Sequence, residues 1–148
     1  MTTMCASILV VEDHVDYQRN LREILQSEGH TVRAASTLRQ AEREFREQPS
    51  ELLLLDLRLP DGNGLDLLER VRIERPDIPA IVLTGNADLE SALRAIRAGA
   101  QAYLRKAAPV EEILATVANV ARTSELERER HALTEALRDS QEQLSRVL

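Results

Sequence analysis

Apolar positions along the chain switch repeatedly between two periods. Ser7 to Val11 (SILVV), Thr31 to Ala34, Leu52 to Leu55 (LLLL), Ile78 to Leu83 and Ala102 to Leu104 are short apolar runs that read as strands. Between them the spacing becomes helical. Leu21, Ile24, Leu25 and Glu28 run up to Gly29; Leu38, Ala41 and Phe45 stop before Pro49; Leu65, Leu68 and Val71 stop before Pro76; Leu89, Ala92, Leu93 and Ile96 stop at Gly99. Pro109 opens a fifth helix, as its first helical residue, with Ile113, Val117 and Val120 facing the sheet. Strands that alternate with helices predict right-handed crossovers and a doubly wound, five-stranded parallel α/β sheet with helices on both faces.

In such a sheet, ligands sit at the carboxyl ends of the strands. The residues expected there are polar: Glu12 and Asp13 after the first strand, Asp56 at the end of the third, Thr84 after the fourth and Lys106 after the fifth. Asp56 stands out, because a carboxylate that closes a run of four leucines is costly to desolvate unless it is paired. Three carboxylates gathered on one edge repel one another and require a cation. Oxygen ligands without histidine or thiolate suit Mg2+, and Lys106 adds a second positive charge. A divalent metal, a lysine, a hydroxyl and a forward-pointing aspartate can together accept a phosphoryl group on that aspartate.

Composition narrows the classes. Hydrophobic residues make up 43% of the chain and aromatics 2%, so the core is aliphatic. A formal net charge of -6 argues against a nucleic-acid partner, which would need a basic footprint. No run of 18 apolar residues is present and MTTMCAS is too short for a signal peptide, so a cytoplasmic chain with no membrane partner is expected. Cys5 is the single cysteine, so the chain forms no internal disulfide.

Glu12-Asp13, Asp56 with Pro60 and Gly64 downstream (DLRLPDGNG), Thr84-Gly85, and Tyr103 three residues before Lys106 together resemble the receiver domain of two-component response regulators, over roughly residues 7–122. The resemblance implies strand order 2-1-3-4-5. It implies that Asp56 takes a phosphoryl group from a histidine kinase or phosphotransfer protein. Mg2+ would be held by Asp13, Asp56 and the Arg58 backbone carbonyl, with Glu12 acting through water. Lys106 would neutralise phosphoryl charge and Thr84 would swing onto the phosphate. Tyr103 would rotate inward and alter the surface of the fourth helix, fifth strand and fifth helix. Arg58 and Asn86, two residues beyond Asp56 and Thr84, would flank the path of hydrolytic water. Such a chain is not an enzyme beyond phosphorylating its own aspartate. It departs from the commonest pattern in having Ala107 rather than proline after Lys106, so a trans bond is expected there.

Each residue taken alone has a plainer reading. Glu12 and Asp13 can cap a helix, Thr84 can be a strand residue, Tyr103 partial core and Lys106 a solvated charge. His14 and His30 read as surface residues and His131 as solvated. A haloacid-dehalogenase-type phosphatase also uses an aspartate after an apolar strand, but it needs a second aspartate where this chain has Arg58. A receiver-like dimerisation module without phosphotransfer is the other alternative, and such modules usually lose an acid, the acceptor or the lysine.

From about Thr123 the sequence is charged, free of proline and glycine, with leucines at helical spacing. Leu126, Leu133, Ser140 and Val147 fill one heptad position and Leu137 and Leu144 the other, a short coiled-coil seam interrupted by Arg130 and Ser140; a single solvated helix is the alternative. Residues 123–148 are therefore expected to extend the fifth helix as a linker to an output domain absent from this chain, pairing it into a homodimer. The offset between this stripe and the sheet-facing one predicts a phase shift near Thr123.

Overall fold

The computed structural model describes residues 5–86 and 88–147, with the backbone alone at Val147, so the seam position expected there lies outside the described side chains. Along the chain come β1 (Ser7–Val11), α1 (Val15–Ser27), β2 (Thr31–Ala35), α2 (Leu38–Glu47), β3 (Leu52–Leu55), a ribbon of β4 (Arg58–Leu59) and β5 (Gly62–Asn63), α3 (Gly64–Glu74), β6 (Ala80–Thr84), α4 (Leu89–Arg97), β7 (Ala102–Arg105) and α5 (Val110–Val147). The main sheet is parallel, in the order β2-β1-β3-β6-β7. With the ribbon set aside this is the expected 2-1-3-4-5.

The unbroken apolar runs follow from burial on both faces, since successive strand side chains point to opposite sides. Leu9, Val11, Leu53, Leu55 and Val82 pack with Phe45, Leu68, Val71 and Ala95 on the side of α2, α3 and α4. Ile8, Val10, Leu52, Leu54 and Ile81 pack with Leu21, Leu25, Ile113, Val117 and Ala121 on the side of α1 and α5. The four leucines of β3 divide evenly between these two cores, so no member of the run is left in water.

Several expectations shift. β6 starts two residues later than expected, because Pro79 has no N–H to give the ladder; its carbonyl instead accepts from Leu53 N–H at 3.0 Å. Thr84 is accordingly the last residue of the strand rather than the one after it. Pro109 stands one position before the helix, where its carbonyl accepts from Ile113 N–H at 3.2 Å. No cis peptide bond occurs among the described residues, as expected at Lys106-Ala107. Ala121 joins Ile113 and Val117 on the sheet, and Val120, half-buried, packs against the same core.

The largest departure is α4. Its apolar positions point outward, Leu89 being 76% and Ile96 67% exposed, and Ala95 is its one buried residue. Periodicity located this helix but not the face it lays down. Its C-terminal end is held instead by Arg72 of α3, whose guanidinium donates to the carbonyls of Ala98 (2.6 Å), Gly99 (2.7 Å) and Ile78 (3.1 Å).

α5 is one unbroken helix of 38 residues, about 57 Å at 1.5 Å per residue. It stays attached to the domain as far as Arg128, which pairs with Glu51 at 3.3 Å and Glu125 at 2.6 Å. Glu51 in turn accepts from Ser7 N–H at 3.0 Å. Leu126, Leu133, Leu137 and Leu144 are all exposed. At about 100° per residue they lie on the side of the helix roughly opposite Ile113, Val117, Ala121 and Arg128. The offset between the two stripes is thus two faces of one continuous helix, and not a phase shift at Thr123.

His14 is exposed and caps α1, and His131 is exposed beside Glu135. His30 is buried, contrary to the surface reading, because its Nδ1 supplies the acceptor for Ala6 N–H at 3.1 Å where the chain enters β1. Burial is the main influence on this imidazole and lowers its pKa from 6.5; the charge of Glu28 opposes the shift. The unfolded chain therefore takes up this proton at a higher pH than the folded one, so the His30 contribution is full above about pH 6.5 and is lost as pH falls below it. Thermal unfolding from pH 7.5 to 5.5 should show the wild-type midpoint falling a few degrees further than that of His30→Asn, which keeps an acceptor but cannot titrate. Parallel curves would show that His30 does not drive this dependence.

Candidate functional site

The strand ends deliver their polar residues by continuing the ladder one rung further. Asp56 N–H donates to Val11 O at 2.9 Å, Glu12 N–H to Ala35 O at 2.9 Å, and Lys106 N–H to Thr84 O at 2.8 Å. Each residue's backbone is thereby fixed to a neighbouring strand before its side chain is considered. Gly64 permits the close start of α3 behind Asp56: a Cβ there would lie 2.1 Å from the Asp56 carbonyl oxygen. Gln18 steadies the first turn, its Nε2 donating to Glu12 O at 2.8 Å and Ala35 O at 3.2 Å.

At the centre, Lys106 Nζ donates to Asp56 Oδ2 at 2.8 Å and to the Glu12 carboxylate at 2.7 Å. Both acids are buried, Glu12 3% and Asp56 6% exposed, while Asp13 stands exposed at the rim. Carboxylate oxygens of Glu12, Asp13 and Asp56 all come within 4.8 Å of one another. Burial is the first cause raising the Glu12 pKa; the Lys106 hydrogen bond opposes it and the Asp56 charge adds to it. For Lys106, burial works against the ammonium, but hydrogen bonds and charge from Asp56 and Glu12 outweigh it and raise the pKa. The lysine is therefore charged at neutral pH, and one ammonium serves two buried acids.

The remaining expected residues lie around this centre at different depths. Thr84 is buried, and its Oγ1 accepts from Asn86 N–H at 3.2 Å. Arg58 N–H lies 3.4 Å from Asp56 Oδ1, with the side chain exposed. Asn86 is exposed at the rim. Asp88 is held below its usual pKa first by its cap to Ser91 N–H and, least of all, by the charge of Arg58. Tyr103 is outside the acid cluster. Its ring packs half-buried against the core on the side of α2, α3 and α4. Sequence reasoning missed Tyr17, whose ring centroid lies 4.9 Å from Lys106 Nζ. The available signal was its position one helical turn after Asp13, in the first turn of α1.

Residues 8–118 match the response regulator receiver domain. This chain belongs to that family. It is 35% identical over 111 residues to the acid tolerance regulatory protein ActR of Rhizobium meliloti, covering 75% of this chain and 57% of ActR. Among solved structures, NtrX from Brucella abortus superimposes with a TM-score of 0.83 at 32% identity, covering 88% of this chain and 30% of NtrX. A CheY-like receiver domain protein from Methanospirillum hungatei gives a TM-score of 0.78 at 31% identity, over 82% of this chain and 97% of that one. The receiver thus spans little more than half of ActR and under a third of NtrX. No helix among the described residues is long and apolar enough to cross a membrane.

Receiver domains generally bind Mg2+ at an acidic pocket, and the donor set here fits a hard cation: three carboxylates, no imidazole, no thiolate. The raised Glu12 pKa means that its charge costs the metal-free fold, so by linkage that stability declines as pH rises from about 4.5 through the folded-state value. At pH 7 in chelator, Glu12→Gln should therefore melt higher than wild type. Saturating Mg2+ should raise the wild-type midpoint by several degrees, since a ligand at a hundred times its Kd adds about 2.7 kcal/mol. Asp13→Asn should lose most of that rise. A Glu12→Gln protein that melts lower in chelator would contradict this account.

Proposed function

We propose that this receiver is a phosphorylation-dependent switch in which Asp56 accepts a phosphoryl group from a phosphohistidine on a histidine kinase or phosphotransfer protein. The observation that carries this reading is the Lys106 ammonium held 2.8 Å from Asp56 Oδ2, beside a second buried acid. An Asp56 oxygen attacks phosphorus, the phosphorus–nitrogen bond breaks, and the imidazole leaves and takes up a proton. The product is an acyl phosphate, which water later returns to carboxylate and inorganic phosphate. Asp13, Asp56 and the Arg58 carbonyl, with Glu12 through water, would hold Mg2+, which would neutralise charge on the phosphoryl oxygens. Lys106 adds the remaining positive charge. The chain turns over no other substrate and is not an enzyme in the wider sense.

The response follows from what is loosely held. Thr84, whose Oγ1 accepts from Asn86 N–H, can turn to donate its O–H to a phosphoryl oxygen, and the half-buried Tyr103 ring can then turn inward. α4, with Ala95 as its one buried residue, can then shift, changing the surface made by α4, β7 and α5. The exposed leucine stripe, facing away from the domain, suits pairing with a second copy along α5. The change would pass to an output domain joined through residues 123–148, in a cytoplasmic protein whose net charge of -6 gives this part no nucleic-acid footprint.

Incubation with acetyl phosphate and Mg2+ should add one phosphate by intact mass, absent in Asp56→Asn and after chelation; equal labelling of the mutant would sink the assignment. Arg58→Ala should alter the rate of phosphate loss severalfold while changing labelling less. Unchanged hydrolysis would mean that Arg58 does not screen the acyl phosphate.

A further inference from the structure

We infer that Tyr17 is a positioning residue for phosphoryl transfer, holding the Lys106 ammonium at the acceptor through the face of its ring; this rests on the function proposed above. Among the described residues the Lys106 ammonium meets Glu12, Asp56 and the Tyr17 ring, whose centroid lies 4.9 Å from Nζ. An ammonium within about 6 Å of an aromatic face is attracted by the ring quadrupole, the more so when desolvated. Here desolvation is substantial, because the Lys106 side chain is 20% exposed and both carboxylates are buried.

The ring differs from the carboxylates in one respect that matters for the reaction. Glu12 and Asp56 change partners when a divalent cation and a phosphoryl group arrive, so their hold on Lys106 weakens at the moment the ammonium is needed. The Tyr17 ring neither binds a hard cation nor accepts a phosphoryl group, so its attraction persists through loading. With Leu21, Ile24, Val110 and Ile113 it also lines an apolar groove of about 230 Å³ beside Lys106. The attraction comes from the ring and not from the hydroxyl, so phenylalanine should replace tyrosine here and an aliphatic residue should not.

The test uses acetyl phosphate, which has no protein surface to dock on α1, so only the acceptor site is read. Initial rates of Asp56 labelling are measured on the full chain for wild type, Tyr17→Phe and Tyr17→Leu, with Tyr17→Met as the alternative should the leucine variant unfold. Tyr17→Phe should label at close to the wild-type rate, and Tyr17→Leu about three- to thirtyfold more slowly. Mg2+ affinity, read by the rise in melting temperature, should be unchanged in both; a merely structural defect would move it in step with the rate. The Lys106 side-chain methylene protons should be shielded by the ring in wild type and Tyr17→Phe, and unshielded in Tyr17→Leu. Tyr17→Leu labelling at the wild-type rate would overturn this inference and leave the proposed function standing. Failure of wild type to label at Asp56 would overturn both.

Discussion

Two buried carboxylates share one ammonium, and the carboxyl edge of the sheet is arranged around that fact. Glu12 and Asp56 cannot both carry charge in an aliphatic interior without a cation between them, and Lys106, 94 residues along the chain from Glu12, supplies it. The contact closes only if β1, β3 and β7 stand in register, so the fold is a condition of the site. The converse is weaker. A buried charge cluster of this kind opposes stability. The strain is offset by the aliphatic cores on both faces of the sheet.

That arrangement also explains where the structure is firm and where it is loose. The acid end is tied through backbone ladders and through Gly64, which lets α3 begin against the Asp56 carbonyl. On the far side of Asp56, Thr84 leans on a single loop amide, and α4, exposed along its apolar stripe, is tied to α3 by polar contacts, Arg72 at its C-terminal end and the Arg94–Asp66 ion pair at 2.9 Å. The long α5 leaves the body at Arg128 with its leucines turned away from the domain.

Much of this was legible in the sequence because it depends on local pattern. The run Leu52 to Leu55 ending in Asp56, the acid pair after β1 and the lysine after β7 are each visible within a few residues, and parallel topology brings their ends together without further information. What escaped depends on contacts between distant segments. His30 looked like a surface residue because nothing nearby shows that Ala6 N–H needs an acceptor. The outward face of α4 follows from Arg72 holding carbonyls more than twenty residues away, which no helical period reports. Tyr17 drew no attention because a tyrosine in the first turn of a helix is ordinary until Lys106 is seen above its ring. The offset between the stripes of α5 was visible, but only the unbroken helix shows that it means opposite faces.

The central claim is that the Lys106 ammonium, pinned between Glu12 and Asp56, marks Asp56 as the one acceptor and moves with the group it receives. A crystal structure with Mg2+ and beryllium fluoride, which mimics a phosphoryl group on a carboxylate, tests it most directly. The account predicts beryllium on an Asp56 oxygen, a fluorine within hydrogen-bond distance of Lys106 Nζ, and the metal on Asp13, Asp56 and the Arg58 carbonyl. Beryllium on another carboxylate, or Nζ still bound to Glu12 with no fluorine in reach, would contradict it.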